Sequence, residues 1–343
     1  MTSIGTYGLI NAKVRAMRSF LLTAALYRSM IEAKGYREIL AVLSKTNYQG
    51  MVNQLESSET WAFEKIFLSE EIHRLQKIAK LCKNDPHQMT LLCIERYDVE
   101  KMKVLLRLWH KKEKTNAHIY EEKIVYHLPV NAILSTENLE EIILLLEGTP
   151  FQQILSRFIQ MYKDRKTIFP LELALDKDYF ERIWQATAKL NQRDRRIAQR
   201  LFGIEIDLTN LDWMNRFRTY YNTSSAEIGS FLLPHGYQLG SEEIQTVLEK
   251  KNIAEILTKI NGGIHASLTE EREEISLSQM IEYFLYRVLS SEAKHAFSEF
   301  PFSIGAILGY MVLQRIESKN LKTLIYAKSY HLPSAQIESL LVL

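Results

Sequence analysis

Two cysteines, seven prolines and thirteen glycines are all that this 343-residue sequence holds of the residues that staple or break a chain. Cys82 and Cys93 have no partner histidine cluster, so the count excludes a disulfide framework, suits a reducing compartment and reads as two buried thiols. No apolar run reaches the ~18 residues that a membrane-spanning helix needs, and Ile304–Leu313 is too short. Lys13, Arg15 and Arg18 before Phe20-Leu21-Leu22 imitate a secretory signal, but Arg28 interrupts the apolar core and no small-residue cleavage site follows. The expectation is a cytoplasmic protein with no direct membrane span.

Signatures of chemistry are also missing. The sequence has no Gly-x-x-x-x-Gly-Lys loop, no Gly-x-Gly-x-x-Gly fingerprint, no His-Glu-x-x-His, no Cys-x-x-Cys and no Gly-x-Ser-x-Gly elbow. Glu70 with His73 and Glu292 with His295 have the spacing of a di-iron carboxylate bundle, where positions i and i+3 share a helix face. Nine histidines and 41 acids give about one such pair by chance, and no matching helix offers a bridging Glu. Surface helix charge explains them. No catalytic, cofactor-binding or metal residue is assigned, and no cofactor is expected.

What is abundant is Leu, Ile, Glu, Lys, Arg and Gln, residues that favour helix. Apolar residues at 46%, charged residues at 24% and a net charge of +2 describe an ordinary soluble chain, large enough for two or three domains. Thr167–Phe169 and Ile206–Leu208 are β-capable but too short to read as strands. The fold class is all-α. Residues 6–33 read as one helix ended at Gly35-Tyr36. Trp61–Leu81, Leu171–Leu190 (opened by Pro170) and Met280–Phe297 read as three more. Glu270–Glu274, after Gly262-Gly263, reads as a solvated connector or a helix start.

The organising feature is an internal repeat. Tyr97–Lys103, Glu205–Leu211 and Ile316–Lys322 are versions of one stretch, whose acid advances from Asp98 to Asp207 to Glu317 in steps of 109 and 110. Each stands after one of the long helices and before a basic, aromatic run: Arg107–Lys114, Arg216–Tyr221 and Tyr326–Tyr330. A second set aligns Glu38, Leu43, Thr46 and Tyr48 with Glu141, Leu146, Thr149 and Phe151 at an offset of 103, and Leu146 with Leu248 at 102. Leu-Pro breaks recur at Leu128-Pro129, Leu233-Pro234 and Leu332-Pro333. The C-terminal unit lacks its second half, and residues 7–50 supply an orphan one. The expected architecture is therefore three similar units closed into one compact body: residues 1–55 plus 280–343, residues 56–165, and residues 166–279.

The basic aromatic runs read first as helix C-terminal turns, where cations offset the dipole, with the acid of each copy near the start of the same helix. A protein-partner surface ranks second and nucleic acid last. Arg107, Arg216, Lys322 and Lys328 are the candidate partner-contact residues.

Ala12–Met17, Leu173–Phe180, Glu205–Leu211, Leu233-Pro234-His235-Gly236 and Ile304–Tyr310, in that order, resemble the C subunit of the V-type (A/V-type) ATPase, the prokaryotic relative of the eukaryotic d subunit. The resemblance spans nearly the whole chain. It implies a funnel-shaped, pseudo-threefold helical protein without an active site, placed in the central stalk between the rotor shaft subunits and the membrane proteolipid ring. Its place would be peripheral, at the cytoplasmic face, serving ATP-linked ion transport. Lys101-Met102 departs from the Asn-Leu usual in the family, and His110-Lys111-Lys112 from a simpler basic turn. The competing expectation is a helical-repeat scaffold with no rotary role.

Overall fold

Every regular element among the described residues is an α-helix, as a chain rich in Leu, Glu, Lys and Arg favours. The structure, a computed structural model, describes residues 3–56, 63–113, 122–221, 224–240, 243–245 and 277–343. In chain order the helices are α1 (Ser3–Arg18), α2 (Ala24–Glu32), α3 (Tyr36–Leu43), α4 (Gln49–Glu56), α5 (Phe63–Leu81), α6 (Asn84–His110), α7 (Val130–Ser135) and α8 (Leu139–Leu145). They continue with α9 (Pro150–Arg165), α10 (Phe169–Lys189), α11 (Gln192–Tyr221), α12 (Ser225–Phe231), α13 (Leu277–Ser298), α14 (Gly305–Ser329) and α15 (Ser334–Leu340). The acidic stretch Glu270–Glu274 lies outside the described residues.

The chain divides into two units. One is Asn47–Lys189 and holds α4 to α10. Its centre is α6, which packs against α5, α7 and α10, while α9 lies against α8 and α10. Ile72, Ile78, Met89, Ile94, Met102 and Ile183 are wholly buried in this core. Polar ties also join α6 to α10: Lys103 pairs with Asp176 at 2.9 Å and Arg182 with Glu95 at 2.5 Å. Cys82 is buried, but Cys93 is only half-buried, against the expectation for both thiols.

The other unit is Met1–Thr46 with Leu190–Leu343, so both ends of the chain belong to it. Its spine is the hairpin of α13 and α14, with α11 against α13 and α1 and α3 against α14. Gly309 permits the close crossing, since a Cβ there would stand 2.6 Å from the Ala293 carbonyl oxygen. Asp194 on α11 fastens three segments: it accepts the Tyr7 hydroxyl at 2.6 Å and the Ile304 N–H at 2.9 Å.

The single helix expected over residues 6–33 is two, broken at residues 19–23. Thr23 is the reason, because its side chain caps α2 by accepting from Leu26, an N-cap signal inside an apolar stretch. The three long helices expected ahead of the acids are present as α5, α10 and α13. Ile206–Leu208, β-capable by composition, lies inside α11.

Candidate functional site

The three recurring acids do not start their helices. Asp98, Asp207 and Glu317 lie in the interiors of α6, α11 and α14, with 0%, 1% and 4% of their surface exposed. The expected role near a helix N-terminus is overturned. A buried carboxylate needs hydrogen-bond donors, and each takes them from the backbone of a segment passing its helix. Asp98 Oδ2 accepts from the N–H groups of Val125 at 2.9 Å and Tyr126 at 3.0 Å. Asp207 Oδ2 accepts from Tyr237 at 3.0 Å and Gln238 at 2.6 Å. Glu317 Oε2 accepts from Leu22. Leu22 and Val125 are 103 positions apart, the same offset as the second set of repeats. Two of the three clasps therefore also keep the second register, whereas Tyr237 stands 112 positions after Val125.

Burial pushes the Asp98 and Asp207 carboxyls up to about 6, against the pull of the N–H donors. Lys101 also holds Asp98 down, and Glu95 opposes it. The second oxygen of each, Oδ1, has no hydrogen-bond partner.

Three residues beyond each acid stands a second anchor. Asn210 brackets Leu233, donating to its carbonyl at 2.9 Å and accepting its N–H at 2.8 Å. Asn320 does the same to Val342, at 2.7 and 3.0 Å. The helices before these targets also correspond, since α12 and α15 bury Ile228 and Ile337 completely, 109 positions apart. In the remaining copy Lys101 replaces Asn and donates to the Glu122 carbonyl at 3.4 Å. The Leu-Pro breaks, by contrast, are not equivalent. Leu233-Pro234 follows α12, whereas Leu332-Pro333 precedes α15 and Leu128-Pro129 precedes α7.

The 103-residue register also holds in detail. Thr46 and Thr149 donate their hydroxyls to the Leu43 and Leu146 carbonyls, both at 2.7 Å. Glu38 and Glu141 accept the N–H groups of Lys34 and Glu137. Glu243 accepts from Gly240, a reach shorter by one residue.

The basic runs end helices as expected, with Arg107 and His110 in the last turn of α6 and Lys328 in that of α14. Arg107 is exposed and pairs with Glu172 at 2.5 Å. Arg216 is exposed and pairs with Asp212 at 2.8 Å. Lys322 is half-buried, and the Lys328 ammonium donates to the Ile31 carbonyl. Trp109, at the corresponding place in α6, donates to the Thr136 carbonyl at 3.0 Å. The spaced acid-histidine pairs are held by neighbours of other kinds: Glu70 by Arg74, His73 by the Ser69 carbonyl and Glu292 by Arg200. Among the described residues no group of three or more His, Cys, Asp or Glu could hold a metal ion.

The residues missed from sequence are Asn210, Asn320 and Asp194. The first two carried a signal, an Asn three places after the acid in two of the three copies. Ile4 and Leu9 on α1 and Leu144 on α8 are large apolar side chains left exposed.

A comparison of the chain with protein families matches residues 10–340 to the ATP synthase (C/AC39) subunit. The chain belongs to that family. The C subunit of the A-type ATP synthase of Methanosphaera stadtmanae is 24% identical to it, over 98% of this chain and 88% of its own. The same subunits of Methanocaldococcus jannaschii and Methanosarcina acetivorans are each also 24% identical, over 99% and 98% of this chain and 87% and 92% of theirs. Within this C/AC39-family chain, no helix among the described residues is long and apolar enough to cross a membrane.

Proposed function

We propose that the chain is a non-catalytic central-stalk subunit of an A/V-type ATPase or ATP synthase. It couples the rotating shaft subunits to the membrane proteolipid ring at the cytoplasmic face, for ATP-linked ion transport. The family match across residues 10–340 carries this reading. The geometry agrees with it in one respect. A body that passes torque must be stiff, and the repeated clasps tie passing segments to the middles of long helices.

The recurrences of Asp98, Asp207 and Glu317 support a funnel of three similar units, with residues 1–55 and 280–343 sharing one, 56–165 forming the second and 166–279 the third. Arg107, Arg216, Lys322 and Lys328 belong to a polar rim that sets register against a partner, where charged residues govern specificity more than affinity. A permanent contact with shaft and ring buries on the order of 2,000 Å² or more.

The test is an affinity pull-down from detergent-solubilised native membranes, with co-purifying chains identified by mass. Recovery of the proteolipid and the shaft subunits is the expected result. Recovery of neither, with a monodisperse soluble chain, would favour a helical-repeat scaffold. Arg216→Glu should weaken recovery of one partner while leaving helical content unchanged.

A further inference from the structure

A cavity of about 350 Å³ opens beside the Glu317 clasp. This volume lies within the range of small-molecule sites and has room for roughly a dozen water-sized groups at ~30 Å³ each. Leu313 and Ile316 give it an aliphatic wall. Arg18 and Lys294 line it as well, and neither is ion-paired among the described residues. Lys294 is exposed and Arg18 half-buried, with its guanidinium 4.3 Å from the centre of the Phe297 ring, so both cations stand toward solvent.

On the buried side stands Tyr27. It is 4% exposed, and its hydroxyl proton has no acceptor. Asn320, close by, spends its oxygen and one amide N–H on Val342, and its other N–H can only donate toward the Tyr27 oxygen, not take the Tyr27 proton. An unpaired buried hydroxyl costs stability, and such groups are rare in folded chains. The fold does not require it here. At the 103-residue offset that relates Leu22 to Val125, the counterpart of Tyr27 is Val130, an equally buried apolar residue. Glu317 lines the same cavity, which disfavours a second negative charge at depth. An anion therefore belongs at Arg18 and Lys294, and a neutral hydrogen-bond acceptor at Tyr27.

We infer that this cavity is a binding site for an anionic amphiphile of the acylated glycerol phosphate class. Its phosphate would lie between Arg18 and Lys294, its ester oxygen would accept from the Tyr27 hydroxyl, and its short acyl chain would run along Leu313 and Ile316. Charged and neutral hydrogen bonds would then be made by two cations outside any ion pair among the described residues and by a hydroxyl proton without an acceptor.

The experiment is calorimetric titration of the purified full chain with hexanoyl glycerol phosphate. Glycerol 3-phosphate, uncharged monohexanoyl glycerol and inorganic phosphate serve as comparisons. Saturable binding of the acylated phosphate, tighter by about tenfold than any of the three, is the expected result. Lys294→Gln and Arg18→Gln should each weaken it about fivefold or more, and Tyr27→Phe about threefold or more, with melting temperatures reported alongside. Lys294 is on the surface, so its variant remains informative if another fails to fold. Absence of saturable binding would overturn the inference. So would equal binding of glycerol 3-phosphate, which would mark a bare anion site, or binding indifferent to both Lys294→Gln and Tyr27→Phe.

Discussion

The Glu317 carboxylate accepts the backbone N–H of Leu22, a residue 295 positions away in the sequence. That bond fixes the turn between α1 and α2 to the middle of α14. Lys328 and Ser334 add a second tie by donating to the Ile31 carbonyl. Glu317→Ala should cost about 1–2 kcal/mol, the usual loss for one hydrogen bond to a charged group whose N–H donor is part-buried. Glu317→Gln, which keeps an acceptor, should cost less. Hydrogen exchange over residues 19–32 is the measurement. Protection there should fall in the Ala variant before it falls in α10, and unchanged protection would mean that the clasp holds nothing.

The two aspartate clasps predict a pH dependence with a definite sign. Burial raises Asp98 and Asp207 to about 6 in the folded chain, from an ordinary value of 3.8. Between those values the folded chain holds protons that the unfolded chain has released. Their contribution is therefore fully present below pH 3.8 and is lost as pH rises through about 6, by about 2–3 kcal/mol per acid. Urea unfolding of the wild type and of Asp98→Asn/Asp207→Asn, from pH 4.5 to 7.5, isolates this part. Relative to the variant, the wild type should lose stability across that range. A constant difference would show that both acids titrate normally.

Much of this arrangement was legible in the sequence because a repeat enforces itself twice. The steps of 109 and 110 residues located the acids and the 103-residue offset located Thr46 with Thr149, and the same pairs recur in hydrogen-bond geometry. Long amphipathic helices were legible for the usual reason, that period and composition agree over many residues. The role of the acids was not. An Asp in a polar-looking stretch reads as an exposed helix start, and only the passing backbone of a residue some 27 positions on makes it a buried acceptor. The break at Thr23 was hidden similarly, since apolar spacing continues through residues 19–23 while one capping hydroxyl decides the geometry. The four candidate contact residues remained separable only by their partners, because in sequence Lys328 and Arg216 carry the same weight although one binds a backbone carbonyl and the other forms an exposed ion pair with Asp212.

Lys101 stands where the other two copies have Asn210 and Asn320, and the exchange changes both of the position's jobs. Asn brackets a backbone residue with two hydrogen bonds, whereas Lys101 donates a long one to the Glu122 carbonyl and lends Asp98 a positive charge. Lys101→Asn should therefore raise the Asp98 midpoint above its present value of about 6, because a favourable charge is lost from a buried carboxylate. Carboxyl carbon NMR, titrated from pH 4 to 8, reads it directly. A midpoint that stays put or falls would mean that Lys101 does not act on Asp98.

Gly236 sits in the turn that delivers Tyr237 and Gln238 to Asp207, directly after His235, whose φ is 73°. A Cβ on residue 236 would stand 2.0 Å from Asp207 Oδ1 and 3.0 Å from the Leu239 carbonyl oxygen. The methyl and the carboxylate cannot share that space, so Gly236→Ala must push the turn away from α11 and loosen both hydrogen bonds. A loss of about 2–4 kcal/mol is expected, within the range of overpacking combined with broken buried bonds. Asp207→Ala removes the clash together with the clasp, so Gly236→Ala made in that background should cost far less. The double-mutant cycle should give a coupling of at least about 1 kcal/mol, since the two changes destroy the same contact. Additive losses would place the cost of the methyl at the Leu239 carbonyl and leave Asp207 without a part in choosing glycine here.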